Sequence, residues 1–223
     1  FDDHVGMARS YAKLDGALNF DTYMDQISAG RSYVSDGASH IIDFSVNGLE
    51  LGTDKSELNI SSPRTLTVKA RVAAYLPSEQ GKVGNIIASR RLDRPPYWHI
   101  ERVRLTNSRE IPVELVVNGE PVERRVVTAN GQWTDLNFKH PIKKSSWLAL
   151  RIYPSSHTNP IFVKVDGKPV RSSRRSAEWC RRAVDQCWKM KRSRIRPEER
   201  DDAKVAYQRA RLIYDHIVRE SSL

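Results

Sequence analysis

Long apolar runs, cysteine clusters and paired histidines are all missing from this chain of 223 residues. No stretch approaches the roughly 18–20 apolar residues that cross a bilayer as a helix, so no membrane segment is read. The opening Phe1-Asp2-Asp3-His4 also lacks the basic region followed by an apolar one that marks a signal peptide. The chain begins at Phe, inside a charged motif, and reads as a soluble fragment of a longer protein, with its compartment, cytoplasmic or exported, not encoded here.

Two cysteines exclude a disulfide framework. Cys180 and Cys187 lie seven apart in a helical pattern, which puts them on one face but roughly 10 Å apart along the axis, too far for a mutual disulfide. Two reduced thiols are expected, and further ligands that would make them a metal site are absent at suitable spacing. The six histidines are His4, His40, His99, His140, His157 and His216, and no two form a His-x-His pair.

Charge is abundant but unevenly placed. The net charge is +10, yet Arg171 to Arg196 alone holds ten Lys or Arg against Glu178 and Asp185, a local +8. Such a basic helix is either a footprint for an anionic polymer or a solvated face. No aromatic-and-basic nucleic-acid motif accompanies it, which favours the solvated face.

The 39% hydrophobic and 29% charged content is that of a globular protein, and the patterning divides it. Residues 1–38 hold a short strand around Arg9 to Ala12 and a helix over 21–29, with Asp21 as N-cap and Gly30 as the left-handed C′ residue. Gly30 to His40, reading GRSYVSDGASH, is a helix-to-strand junction rich in unexplained polar residues. From 39 to 170 the period is that of strands. Ile41 to Val46, Arg64 to Tyr75, Trp98 to Leu105, Val113 to Val117, Val122 to Val127, Trp133 to Phe138, Trp147 to Tyr153 and Ile161 to Val165 alternate or run apolar. Asn47-Gly48, Asn118-Gly119, Asn130-Gly131 and Asp166-Gly167 supply turns, and Glu79 to Arg94 reads as a loop. Eight or so short strands without alternating helices predict a mainly β fold with some α, an immunoglobulin-like antiparallel β-sandwich. Residues 171–223 return to helical spacing, with Pro197 at the start of a second helix, and predict a helical hairpin.

Several residues have the chemistry for a site. Asp2 and His4, in an Asp-x-His arrangement, suit a divalent metal such as Zn, Mn or Fe that activates a water. Arg9, Arg31 and His40 flank that segment and are candidates for contact with an anionic substrate, or for satisfying loop backbone and nearby carboxylates. Ser155-Ser156-His157 sets a nucleophile type beside a base type, but no orienting acid is evident. Trp98, Trp133 and Trp147 occupy apolar strand positions, so a core role is expected over a carbohydrate-stacking platform.

Taken together, DDHVGMAR, ISAGRSYVSDG, the Asn-Gly hairpin after it and SSHTNPIFV resemble the C-terminal part of CehA/McbA-like (carbaryl-hydrolase-like) metallohydrolases of the PHP (polymerase and histidinol phosphatase) superfamily. The resemblance implies a remnant of the metal-binding domain at 1–38, a β-sandwich accessory domain at 39–170 and a helical hairpin tail at 171–223. It makes Asp2 and His4 the last ligands of a divalent-metal site. The early His-x-His motif and middle ligands of such a site are missing, so an upstream catalytic domain is the implied partner and an ester, carbamate or phosphoester the implied small-molecule substrate. The sandwich would then wall the substrate pocket, stabilise the catalytic barrel or mediate assembly, a homo-oligomer included. The rival reading is a stand-alone β-sandwich module that binds carbohydrate or protein.

Overall fold

The structure is a computed structural model that describes residues 6–221. Two compact units divide it, Phe1–Lys168 and Pro169–Leu223. In chain order the first holds β1 (Arg9–Ala12), α1 (Phe20–Ser28), β2 (Ser32–Ser35), β3 (Ser39–Val46), β4 (Leu49–Glu50), β5 (Glu57–Ile60), β6 (Arg64–Ala74) and α2 (Lys82–Ser89). It continues with β7 (Glu110–Val117), β8 (Glu120–Thr128), β9 (Thr134–Ile142), β10 (Ser146–Ile152), β11 (Ser156–Thr158) and β12 (Ile161–Val165). The second unit holds α3 (Arg174–Lys191) and α4 (Arg200–Glu220). The mainly β reading with a C-terminal helical pair therefore stands.

The strands form two sheets. Eight strands run β1-β2-β11-β10-β12-β5, with β7 on the other side of β10 and β8 beyond it; four run β4-β3-β6-β9. Every pair is antiparallel except β12 with β5. Two turns show why the chain folds back where it does. Asn47 and Gly48 have φ of 48° and 85°, and Asn118 and Gly119 have 53° and 96°, the left-handed pair that a two-residue hairpin with right-handed twist requires.

The core is the inward face of both sheets. Leu66, Val68 and Phe138 from the four-stranded sheet and Leu115, Leu148 and Leu150 from the eight-stranded one are fully buried. Burying each such side chain stabilises the fold by about 1.5–3 kcal/mol. Residues 9–12 and 32–35 belong to the same large sheet as residues 146–165, because β2 pairs with β11 through Ser35–Ser156 and Tyr33–Thr158.

Local expectations are corrected at four places. Helix α1 is capped by Asn19, whose side chain accepts from Thr22 N while the Thr22 hydroxyl accepts from Asn19 N; Asp21 instead lies in the first turn. Gly30 does take the left-handed conformation, at φ 74°. The stretch 79–94 contains α2, and Trp98 to Leu105 is a loop with a short 3-10 turn at Ile100–Arg102 rather than a strand. That loop is anchored by Arg104, whose guanidinium is 1% exposed and meets Glu101 at 2.7 Å. Finally, the tryptophans are not core: Trp98 and Trp133 are 50% and 45% exposed, and Trp147 is partly exposed on the outer side of β10.

In the second unit α3 and α4 pair through Arg181 with Asp215 (2.9 Å), Arg211 with Asp185 (2.7 Å) and the packed rings of Trp188 and Tyr207. Several of the basic residues noted in sequence are thus ion-paired within the hairpin. Cys180 and Cys187 are free thiols, and the Tyr207 hydroxyl donates to Cys187 Sγ at 3.4 Å. Among the described residues no helix is long and apolar enough to cross a membrane.

Candidate functional site

Three stretches of the chain, the last more than a hundred residues beyond the other two, meet at one edge of the large sheet. Strand β1 starts at Arg9, the last residue of DDHVGMAR, β2 lies within GRSYVSDGASH and β11 within SSHTNPIFV, and the three strands lie side by side. A polar cluster seals their junction. Ser39 Oγ is 2.6 Å from Ser155 Oγ and donates to Ser156 Oγ at 2.7 Å, while Ser155 Oγ donates to Asp36 Oδ1 at 2.8 Å. The Ser35 hydroxyl donates to the Ser39 carbonyl and accepts from Gly37 N at 2.8 Å. All four serines are buried, so each hydroxyl exchanges water for a protein partner and the GRSYVSDGASH loop is held in one shape.

Asparagine 159 performs the same task at the other end of the loop. Asn159 Nδ2 donates to Gly30 O at 3.0 Å and to Ser32 Oγ at 2.9 Å, tying the end of α1 to the turn before β12. The sequence Ser155-Ser156-His157 is thereby structural on its serine side. His157 is exposed with its Nδ1 3.2 Å from the Thr158 carbonyl, and among the described residues no hydrogen bond joins its ring to Ser155 or Ser156.

Of the site residues read from sequence, Asp2 and His4 lie outside the described residues. Arg9 is exposed and donates to the Asp36 carbonyl at 3.1 Å. Its guanidinium covers Gly37, whose φ of 90° and lack of a side chain make that approach feasible. His40 is half-buried. Its Nδ1 is 2.7 Å from the Tyr33 hydroxyl, and Tyr11 stacks on Tyr33 with centroids 5.1 Å apart. Burial pushes the His40 imidazole below its ordinary value, with Arg9 adding to that effect and Asp36 opposing it, and the Tyr33 phenol is pushed up to about 12, chiefly by burial. Arg31 sits at the opposite end of the β1–β2 strand pair, its side chain only 12% exposed, ion-paired with Asp15 and, at 3.3 Å, with Glu50. Arg9 and His40 therefore belong to one locality and Arg31 to another. Among the described residues no group of three or more His, Cys, Asp or Glu is placed to hold a metal ion.

Beside this junction the outer face of the large sheet forms an open cavity of about 740 Å³. Trp147 on β10 pairs across the strands with Phe162 on β12, and Trp98, Tyr153, Val34 and Ala8 complete the wall. The lining is overwhelmingly apolar. Among the described residues its one arginine or lysine, Arg151, is committed to Glu114 at 2.7 Å and stacks over the Tyr153 ring at 5.1 Å. Sequence reasoning missed this cavity. The available signal was β10 itself, which reads SWLALRI and is apolar on both faces, as strands covered on both sides are. Comparison with models of known protein families and with curated proteins gives no match.

Proposed function

We propose that this chain is the C-terminal, largely non-catalytic portion of a PHP-type metal-dependent hydrolase of the CehA/McbA-like group, with the immunoglobulin-like sandwich as its accessory domain. The observation that carries the reading is convergence. DDHVGMAR, GRSYVSDGASH and SSHTNPIFV resemble one family in sequence, and in space the second and third share the Ser35–Asp36–Ser39–Ser155 cluster while Arg9, the last residue of the first, donates to the Asp36 carbonyl.

In this reading Asp2 and His4 contribute to a divalent-metal site completed by an upstream domain. When bound, Zn, Mn or Fe supplies Lewis acidity and activates water for hydrolysis of an ester, carbamate or phosphoester. The residues of the sandwich orient and shield. Arg9 uses a donor on Asp36 O and keeps an exposed guanidinium for an anionic group, and His40, kept neutral by burial, is braced by Tyr33. Arg31, balanced by Asp15 and Glu50, lies at the other end of the β1–β2 pair and takes no part in that surface.

A second reading, a stand-alone sandwich that binds carbohydrate or protein, is favoured by one observation: Trp98, Trp147 and Phe162 line a single open cavity. One experiment separates the two. The polypeptide made by the native host is purified, weighed intact and analysed for metal. The hydrolase reading expects a mass well above 25.5 kDa, bound divalent metal, and loss of that metal in Asp2→Ala and His4→Ala variants. A metal-free product of 25.5 kDa overturns it.

A further inference from the structure

The helical unit sorts its charges. In sequence Arg171 to Arg196 mixes acids with cations, but on α3 both acids are engaged. Glu178 pairs with Arg174 at 3.1 Å, and Asp185 pairs with Arg181 at 2.6 Å and with Arg211 of α4 at 2.7 Å. Arg175, Arg182, Lys189, Lys191, Arg192 and Arg194 remain. They are all exposed, and among the described residues none of their side chains meets an acid. Arg175, Arg182 and Lys189 recur every seven residues, so they share one face of α3 with a rise of about 10.5 Å from each to the next. Arg181, one position round the helix from Arg182, turns instead to Asp215 of α4. The cationic stripe therefore lies apart from the ion pairs that hold the hairpin together.

A surface that only meets water gains nothing from a row of one sign, which repels itself. Lys189 and Lys191 complement the C-terminal end of the helix dipole, but Arg175 stands in the first turn, where that dipole disfavours a cation. One ring accompanies the stripe. Trp179, 65% exposed, follows Arg175 by four residues and precedes Arg182 by three, which places it between them on the same side of the helix. The other exposed positions from 175 to 189 are Ser176, Asp185 and Gln186. A lipid surface takes a row of large apolar side chains. A single ring between guanidinium groups suits a strand whose base stacks while its phosphates pair with arginine. We infer that the exposed face of α3, continued to Arg194, binds a single-stranded nucleic acid, with phosphates on Arg175, Arg182, Lys189 and the cations at 191–194 and a base on Trp179. These contacts use the backbone and a ring face that every base has, so no sequence preference is expected.

The test is fluorescence anisotropy of an end-labelled single strand of about twenty nucleotides, titrated with the full chain. Four phosphate contacts weaken such binding about fifty-fold between about 50 and 200 mM salt. Replacing Arg175, Arg182 and Lys189 together with Gln is expected to flatten that dependence and weaken binding at least about ten-fold. The same change at exposed Lys69, Lys82 and Lys139 is expected to leave both nearly as they were. Trp179→Ala should lose at least about five-fold on the strand and nothing on heparin, which carries charge but no bases. All the replaced side chains are exposed, so circular dichroism should show the helices intact, and the wild-type salt dependence stands without any variant. No binding of the strand at about 50 mM salt overturns the assignment. Equal losses in the two triple variants overturn it, as does a Trp179→Ala variant that binds the strand like wild type. Tighter binding to vesicles of about one-third phosphatidylserine than to the strand gives the face to a membrane surface and overturns it too.

Discussion

Ser39 and Ser155, 116 positions apart, face each other through their hydroxyl oxygens at 2.6 Å inside the protein. This contact fastens the start of β3 to the turn between β10 and β11, and so holds the two sheets in register where the candidate site begins. Replacing Ser39 with Ala strands Ser155 and Ser156 without their shared partner. The expected cost is about 1–3 kcal/mol, seen as a lower urea midpoint with an unchanged slope. Serine to alanine at exposed Ser61 is the control and is expected to change nothing measurable.

His40 is expected to give the fold a pH dependence of known sign. Its imidazole titrates below the ordinary value of 6.5, mainly because it is buried. The unfolded chain therefore binds the proton first as pH falls, so the stability contributed by neutral His40 is complete above the ordinary value and is lost as pH falls through the folded one. NMR titration should place the His40 midpoint below the ordinary value of 6.5. A midpoint at or above it would contradict the buried, Tyr33-braced geometry.

The phenol of Tyr33 titrates the other way. Its pKa, raised to about 12 from 10 chiefly by burial, keeps it protonated after an unfolded tyrosine would ionise. Its contribution is full below pH 10 and fades as pH rises through about 12. Ultraviolet difference spectra of wild type against Tyr33→Phe should locate this late-titrating component.

The Glu101–Arg104 pair controls the loop that carries Trp98. Both side chains are at most 6% exposed, and hydrogen bonding from Arg104 holds the Glu101 carboxyl below its usual range. Replacing Glu101 with Gln leaves Arg104 as an uncompensated buried charge, with an expected cost of about 3–5 kcal/mol in thermal or denaturant unfolding. The wild-type contribution is present above the unfolded carboxylate value and lost as pH falls through the lower folded one, a slope that E101Q should abolish.

Gly52 tests the packing of Arg31. Its φ is +82°, and an added Cβ would collide with Arg31 Cβ and lie 2.7 Å from Arg31 Cα. Backbone cannot swing aside as a side-chain tip does, so Gly52→Ala is expected to destabilise by more than about 2 kcal/mol. Gly48→Ala, with nothing within 4 Å but φ +85°, is expected to cost only the smaller conformational penalty of about 1 kcal/mol.

Features encoded in neighbouring residues were legible before any coordinates. Asn47-Gly48 and Asn118-Gly119 dictate hairpins through their own backbone preferences, and Trp179, Ala183 and Cys187 announce a helix by spacing alone. The buried serine cluster was not legible, because each hydroxyl is neutral in meaning until β2 and β11 become neighbours. The tryptophans misled for a related reason. Pattern reports that Trp147 is apolar, but which side of β10 meets the core is decided by the rest of the sheet, and the inward side was already filled by Leu148 and Leu150.

The order of strands in the large sheet also governs how this protein comes to exist. Strands β1, β2 and β5, made early in synthesis, sit toward its two ends and hydrogen-bond to one another or to β11 and β12, which are made last within the unit. On a ribosome, β5 emerges with nowhere to pair, and β2 with β1 alone, until residues 156–165 have been translated and cleared the exit tunnel. Such long-range closure folds slowly and leaves strand edges open while it waits, so nascent chains of this protein are natural clients for chaperones, and truncation before β11 should yield aggregation rather than a smaller folded domain.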